Sequence, residues 1–391
     1  MAFHSRRGSH NRLHAALALC VVALILAPRV TAQNPDAVLV AEALRTAIDR
    51  ALTSAPLGFE VLQPPAQTGV RVIDVRVDTP RAGATTITID LSQKTLTYDP
   101  DGDVDALLDD IIRSTAPLTA AAGDTEYRFL VEGLPLDRFV SRGLEPGPGR
   151  PSETLARRVV VSAGHGWYWN AAFGDWRLQR DHYWGIVEDF VNWDIAQYTI
   201  RELSGTALQP YPVRHPDPYA APGMSGRSAW QEGATYFIRD LGVPFDVWGI
   251  GIDDYARDIN TRPFYANWVD AAVIVSIHNN GGGGTGTETW FDATNGFRAE
   301  SERLADILNR HVVAAIRAHY NADWPDRGLR SCNGCKGENR LAARPAIILE
   351  IAFMDTARPD NEALQDERFK QIVARAIRDG LHEWAGLLRG T

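Results

Sequence analysis

The sequence predicts an α/β fold, a sheet covered by helices on both faces, joined to a small N-terminal α+β module. Three observations predict it. Short, mostly apolar runs at 158–162, 271–277 and 345–351 alternate with long helical patterns, which is how strands buried on both faces read. All 11 Trp residues lie after residue 160. Just before them comes an alternating Pro/Gly stretch, Gly143 to Ser152, which can be neither helix nor central strand and so separates two regions. A chain of 391 residues is long for one domain and comfortable for two.

Residues 1–32 have the anatomy of a secretory signal peptide: Arg6, Arg7 and Arg12, an apolar run from Ala15 to Ala27, then the small-residue pattern Val30-Thr31-Ala32. The run is short for a membrane span, so no stable span is expected after cleavage, and export to the periplasm, extracellular space or cell wall is. A small α+β domain is expected over 35–142. In it, Ala37–Leu52 and Asp103–Ser114 have helical periodicity, while Val70–Val77, Thr85–Leu91 and Tyr127–Val131 read as strands. This region holds no His and shows no acid–base constellation. The linker spans 143–155, and a catalytic domain follows over 156–391. There, strand Arg158–Ser162, helix Glu188–Leu203, strand Ala271–Ile277, helix Ala299–Tyr320, strand Pro345–Ile351 and helix Phe369–Leu388 are expected in that order.

A net charge of -9 with no basic stripe speaks against a nucleic-acid partner. Of three Cys, Cys20 falls in the signal segment, leaving Cys332 and Cys335. In an oxidising compartment this Cys-x-x-Cys reads as a disulfide pinning a loop, with a redox motif or half of a structural zinc site as alternatives.

The three core strands run into polar clusters: Gly164-His165-Gly166, His278-Asn279-Asn280-Gly281 and Glu350. Functional groups of such sheets gather at the carboxyl ends of strands. Two His and an acid suit a divalent metal, and catalytic zinc takes three N or O ligands plus an open position. Glu188, at the start of its helix and one turn before Asn192, is the best third ligand, with His182 and Asp189 as rivals. Asp189 points away from Glu188 by about a hundred degrees, so the two cannot face one ion. A carboxylate at Glu350, inside an apolar strand, is costly unless it has work to do. Taking a proton from water activated by a metal is such work; a structural ion pair is the alternative.

Residues 158–388 resemble the zinc-dependent N-acetylmuramoyl-L-alanine amidases in six segments that occur in the same order: 159–166, 188–196, 262–272, 276–280, 286–291 and 345–355. The resemblance implies that His165, Glu188 and His278 bind Zn2+, that Glu350 is the catalytic acid/base, and that the substrate is peptidoglycan. In the small domain, Thr86–Leu91 followed by a helix resembles modules of sporulation and germination proteins; a generic spacer is the alternative. The chain departs from the amidase pattern at Trp167, where a Gly normally follows the first His-Gly, and in a long aromatic insert between His165 and Glu188. The insert either binds glycan by stacking or packs a larger lid. Asn279, Asn280 and Arg262 are candidate oxyanion donors, with bracing of its helix as the alternative role for Arg262. A zinc exopeptidase or other amide hydrolase of similar fold, and a wall-binding protein with a disused site, are the competing functions.

Overall fold

The computed structural model describes residues 35–55, 63–80, 82–98, 104–141, 157–251 and 253–386. The expected signal peptide and the Pro/Gly linker lie outside the described residues. Helix α1 (Pro35–Ala51) precedes strands β1 (Val72–Asp78) and β2 (Thr85–Leu91), helix α2 (Asp105–Thr115), β3 (Thr125–Val131) and the short β4 (Leu134–Pro135). After the undescribed segment come β5 (Arg158–Ala163), two small ribbons β6–β7 (Tyr168–Asn170, Asp175–Arg177) and β8–β9 (His182–Tyr183, Ile186–Val187), and helix α3 (Glu188–Leu203). Then follow β10 (Gln209–Pro212), α4 (Ala234–Asp240), α5 (Phe245–Trp248), α6 (Asp254–Trp268), β11 (Val273–Asn280) and β12 (Thr287–Asp292). The chain closes with α7 (Arg298–His319), β13 (Asp326–Cys332), α8 (Gly337–Arg340), β14 (Ala346–Phe353), α9 (Glu362–Gln365) and α10 (Glu367–Trp384).

One ten-stranded sheet runs through both expected regions, in the order β1-β2-β3-β13-β12-β14-β11-β5-β10, with β4 beside β3. Strand β3 pairs with β13 in parallel, Thr125 opposite Arg330 and Tyr127 opposite Cys332. The N-terminal strands therefore extend the same sheet edge to edge.

Strand alternation sorts side chains to the two faces. Val275 and Ile277 of β11 and Ile347, Leu349 and Ile351 of β14 join a core with α3, α7 and α10. On the opposite face, Val160 and Ile274 pack under α4 and α6. Also on that face, Ile348 and Trp290 pack with Leu107, Leu108, Ile111 and Ile112 of α2. Each of these four buried side chains contributes roughly 2 kcal/mol. Ion pairs add to this seat: Asp105 to Arg340 at 2.7 Å and Asp109 to Lys336 at 2.6 Å. Cys332 and Cys335 form the expected disulfide, which closes the turn leading into α8. Among the described residues, no helix is long and apolar enough to cross a membrane.

Three of the central strands differ from expectation. Strand β11 continues through His278 to Asn280, so His278 sits within the ladder rather than after it, and β14, which holds Glu350 as expected, runs on to Phe353. Strand β13 was not expected, because its sequence Asp-Arg-Gly-Leu-Arg-Ser-Cys lacks an apolar run. Its Arg327 and Arg330 instead converge on Glu288 of β12, at 2.6 and 3.3 Å. All three side chains are buried. Burial works against this carboxylate's charge, but Arg330 and Arg327 outweigh it and hold Glu288 below the usual carboxylate range. Arg327 also donates to the Ala116 carbonyl and Arg330 to the Thr125 hydroxyl, so the cluster ties the N-terminal strands to the rest. Removing the anion strands two buried guanidinium groups. Glu288→Ala is expected to cost roughly 3–5 kcal/mol in urea unfolding; a loss under about 1 kcal/mol would show that the cluster contributes little to stability.

Candidate active site

Strand β5 ends at Ala163, and the next three residues make a sharp turn. His165 adopts φ 62° and Gly166 φ 133°, a backbone region that costs a non-glycine residue energy and clusters at functional sites. Gly164 is required for a different reason: a Cβ there would lie 2.3 Å from Cε1 of His278. The turn is braced from outside. Arg262 donates to the Ala163 and His165 carbonyls, at 2.8 and 3.0 Å, and pairs with Asp258. Asp189 accepts from the Gly166 amide at 2.9 Å and the Gln179 amide at 3.0 Å.

Three side chains meet above the sheet. His165 Nε2 lies 3.0 Å from Glu188 Oε1, and His278 Nδ1 lies 3.1 Å from His165 Nε2 and 3.2 Å from Glu188 Oε1. The rings cross at 88°. These are the atoms able to hold one metal ion. Their outer partners show which atoms carry lone pairs. Gln179 donates through Nε2 to Asp258 at 2.8 Å, which turns its amide oxygen toward His165 Nδ1, 2.9 Å away. Nδ1 therefore carries the hydrogen and Nε2 the lone pair. On His278, Nε2 faces the Glu338 carboxylate at 3.1 Å, leaving its lone pair on Nδ1. Asn192 and the Asn279 amide donate to Glu188 Oε1, at 3.1 and 3.0 Å. Two lone pairs and a carboxylate oxygen thus crowd one point, and a divalent cation fits that donor set.

The electrostatics follow from burial. Desolvation, reinforced by Arg180, pushes the His165 imidazolium down to about 4. Burial also disfavours a charged His278, but the carboxylates of Glu338 and Glu188 outweigh it and raise the ring above its ordinary value. Glu188 is held well below the usual carboxylate range against burial, first by His165. Glu350 behaves differently. It lies beside His278 in register on the neighbouring parallel strand. Its Oε2 is buried with no hydrogen-bond partner. Burial, with Glu188 and Glu288 adding, raises it to about 7 against the pull of His278.

A cavity of about 50 Å³ joins these groups, lined by His165, Glu188, His278, Glu338 and Glu350. Its remaining wall includes Asp109 and Arg113 of α2 and Lys336 before α8. The small region read as lacking any acid–base constellation therefore supplies charged groups to the site. The sequence showed no sign of this, because the contact depends on where α2 packs.

The four residues expected at the site are brought together. Asp189 and His182 are not part of the cluster: Asp189 caps the turn, and His182 lies exposed in β8. The three residues considered as oxyanion donors are engaged within the protein. Arg262 braces β5, while the side-chain amides of Asn279 and Asn280 donate to Asn192 and Glu288. In the aromatic insert, Tyr168 is buried against Tyr255 and Trp176 packs on Tyr236, whereas Trp169 and Trp184 are exposed.

The family model for N-acetylmuramoyl-L-alanine amidase matches residues 159–383. The chain belongs to this amidase family. The match begins in β5 and ends in α10, so it takes in every residue of the converging cluster. Among amidase relatives, the chain is 31% identical over 128 residues to N-acetylmuramoyl-L-alanine amidase CwlM of Bacillus licheniformis, covering 33% of this chain and 46% of the relative. It is 32% identical over 131 residues to the sporulation-specific N-acetylmuramoyl-L-alanine amidase of Bacillus subtilis (strain 168), covering 34% and 47%. The chain thus spans about half the length of these relatives. Similar solved amidase structures include the catalytic domain of CwlV from Bacillus (Paenibacillus) polymyxa var. colistinus, at 22% identity and TM-score 0.40, covering 59% of this chain and 99% of that one. Another is the amidase of Mycobacterium smegmatis, at 18% identity and TM-score 0.43, covering 60% and 99%.

Two outcomes follow from the site's geometry. Gly164→Ala drives a methyl group into the His278 ring and is expected to abolish metal uptake, measured as bound metal per chain by elemental analysis. Glu350 has a folded pKa raised from 4.5 to about 7, so its charge destabilises the metal-free protein fully above pH 7 and not at all below about 4.5. A shift of that size corresponds to something on the order of 3 kcal/mol. Metal-free Glu350→Gln is therefore expected to melt above the wild type at pH 8, with the gain gone by pH 4.5. Equal melting temperatures at pH 8 would refute the burial argument.

Proposed function

We propose that the chain is a zinc-dependent N-acetylmuramoyl-L-alanine amidase that hydrolyses the amide bond between N-acetylmuramic acid and L-alanine in peptidoglycan. In this reading His165, Glu188 and His278 hold the ion and Glu350 is the catalytic acid/base. The observation that carries it is the meeting of three ligand atoms, two imidazole nitrogens and a carboxylate oxygen, beside a buried carboxylate with an unpartnered oxygen. When bound, zinc supplies a Lewis acid for the scissile carbonyl and lowers the pKa of water. Glu350 takes the proton of the attacking water and returns it to the leaving L-alanine nitrogen. A carboxyl held near 7 is suited to both halves of that exchange, since it neither binds the proton too tightly nor releases it too readily. Asn192 and the Asn279 amide keep the Glu188 carboxylate oriented throughout. The substrate lies outside the cytoplasm, which agrees with the expected export signal.

Purified cell wall incubated with the protein is expected to yield free stem peptides with N-terminal alanine, detected by mass spectrometry. Release of a C-terminal amino acid instead would mean an exopeptidase. Glu350→Ala is expected to lower kcat by roughly 10²–10⁴-fold with little change in KM. In the wild type, kcat/KM should fall on the acid side as Glu350 takes up its proton, with a midpoint at or below about 7. Full turnover by Glu350→Ala would defeat the mechanism, and a chelator without effect would defeat the metal.

A further inference from the structure

We propose that Glu338 is a positioning residue that sets the metal affinity of the site by acting through His278. The inference rests on the reading that His165, Glu188 and His278 hold a divalent ion. Glu338 is buried at the back of the site, and its Oε1 lies 3.1 Å from His278 Nε2, on the side of the ring opposite the donor atom. A carboxylate there fixes the ring's tautomer and orientation, and it makes the far nitrogen a stronger electron donor.

Two further groups approach the carboxylate, the Ser276 hydroxyl and the Arg262 guanidinium. Arg262, the nearest cation at 3.9 Å, is already bound to Asp258 and to two carbonyls of the β5 turn. The other Glu338 oxygen, Oε2, is buried without a hydrogen-bond partner. Burial is costly for such an anion, and the Glu338 carboxyl nevertheless stays below the usual range because His278 and Arg262 outweigh the desolvation. The two imidazoles are thus backed differently: His165 by a neutral amide whose own partner is Asp258, His278 directly by a carboxylate.

The position is held firmly. Glu338 sits on α8, a single helical turn. On one side Lys336 is anchored to Asp109 and the Cys332–Cys335 bond closes the preceding turn. On the other side Arg340 is anchored to Asp105 at 2.7 Å. Both anchors come from α2, so the N-terminal segment determines where the carboxylate stands.

The test compares zinc affinity of the full chain with Glu338→Ala and Glu338→Gln. The proteins are stripped of metal and titrated with zinc against a chromophoric chelator. Cobalt absorption serves as a second readout of ligand geometry, and melting temperature as a control for folding. Glu338→Ala is expected to weaken zinc binding by roughly 10–100-fold and to change the cobalt spectrum. Glu338→Gln, which keeps the acceptor atom but not the charge, is expected to weaken it by several-fold. Folded variants that bind zinc within twofold of the wild type, with unchanged cobalt spectra, would overturn the proposal even if they melt lower. If Glu338→Ala does not fold, Glu338→Gln decides alone by the same criterion. A wild-type protein that takes up no zinc overturns the functional reading and this one together. A tight wild-type site with unaffected variants overturns only this one.

Discussion

The ligand atoms of His165, Glu188 and His278 lie about 3 Å from one another, and much of the surrounding structure can be understood as holding them there. Left free, two rings and a carboxylate would rotate apart. They are prevented on every side. The parallel register of β11 against β5 and β14 fixes the His278 backbone. Gly164 lets the ring come close, and the left-handed turn at His165 aims the second imidazole. Gln179, Glu338 and Asn192 then occupy the outer positions of the three groups. The donor atoms are gathered and oriented before a cation arrives, so its binding has little reordering to bring about.

The N-terminal region takes part in this arrangement. Helix α2 lays its apolar stripe on Trp290 and Ile348 and places Asp105 and Asp109 against the two cations that flank Glu338. The Glu288 cluster makes the same connection through the sheet, since its two arginines reach Ala116 and Thr125. Burial at the catalytic face is therefore shared between segments more than 200 residues apart in the chain, as the Arg327 and Arg330 bonds show.

The legible parts of the sequence were those whose signal is local. Apolar runs gave β5, β11 and β14, and helical periodicity gave α3, α7 and α10, to within a few residues. His165 and Glu188 could be picked out because a glycine turn and a helix start announce a reaching side chain, and His278 and Glu350 because a polar group in an apolar strand needs a reason. What stayed hidden depends on tertiary encounter. Strand β13 carries arginines where a core strand should carry valines, and only the anion waiting on β12 makes that tolerable. Gln179 lies in an aromatic loop and Glu338 in a polar turn; nothing around either one says which ring it will back. The charged face of α2 likewise reads as a solvated surface until the helix is laid over the sheet.

Strand β13 meets the N-terminal strand β3 along its last three residues, Arg330 to Cys332. A fragment trimmed to the family-matched span would keep the His165, Glu188, His278 and Glu350 cluster but uncover the amide and carbonyl groups of that stretch, a template for adding a foreign strand or a second copy. It would also leave Trp290, Ile348 and the disulfide-bonded turn facing water. The shortest self-contained unit of this protein is accordingly longer than its recognisable enzyme half, and solubility would report that difference before activity did.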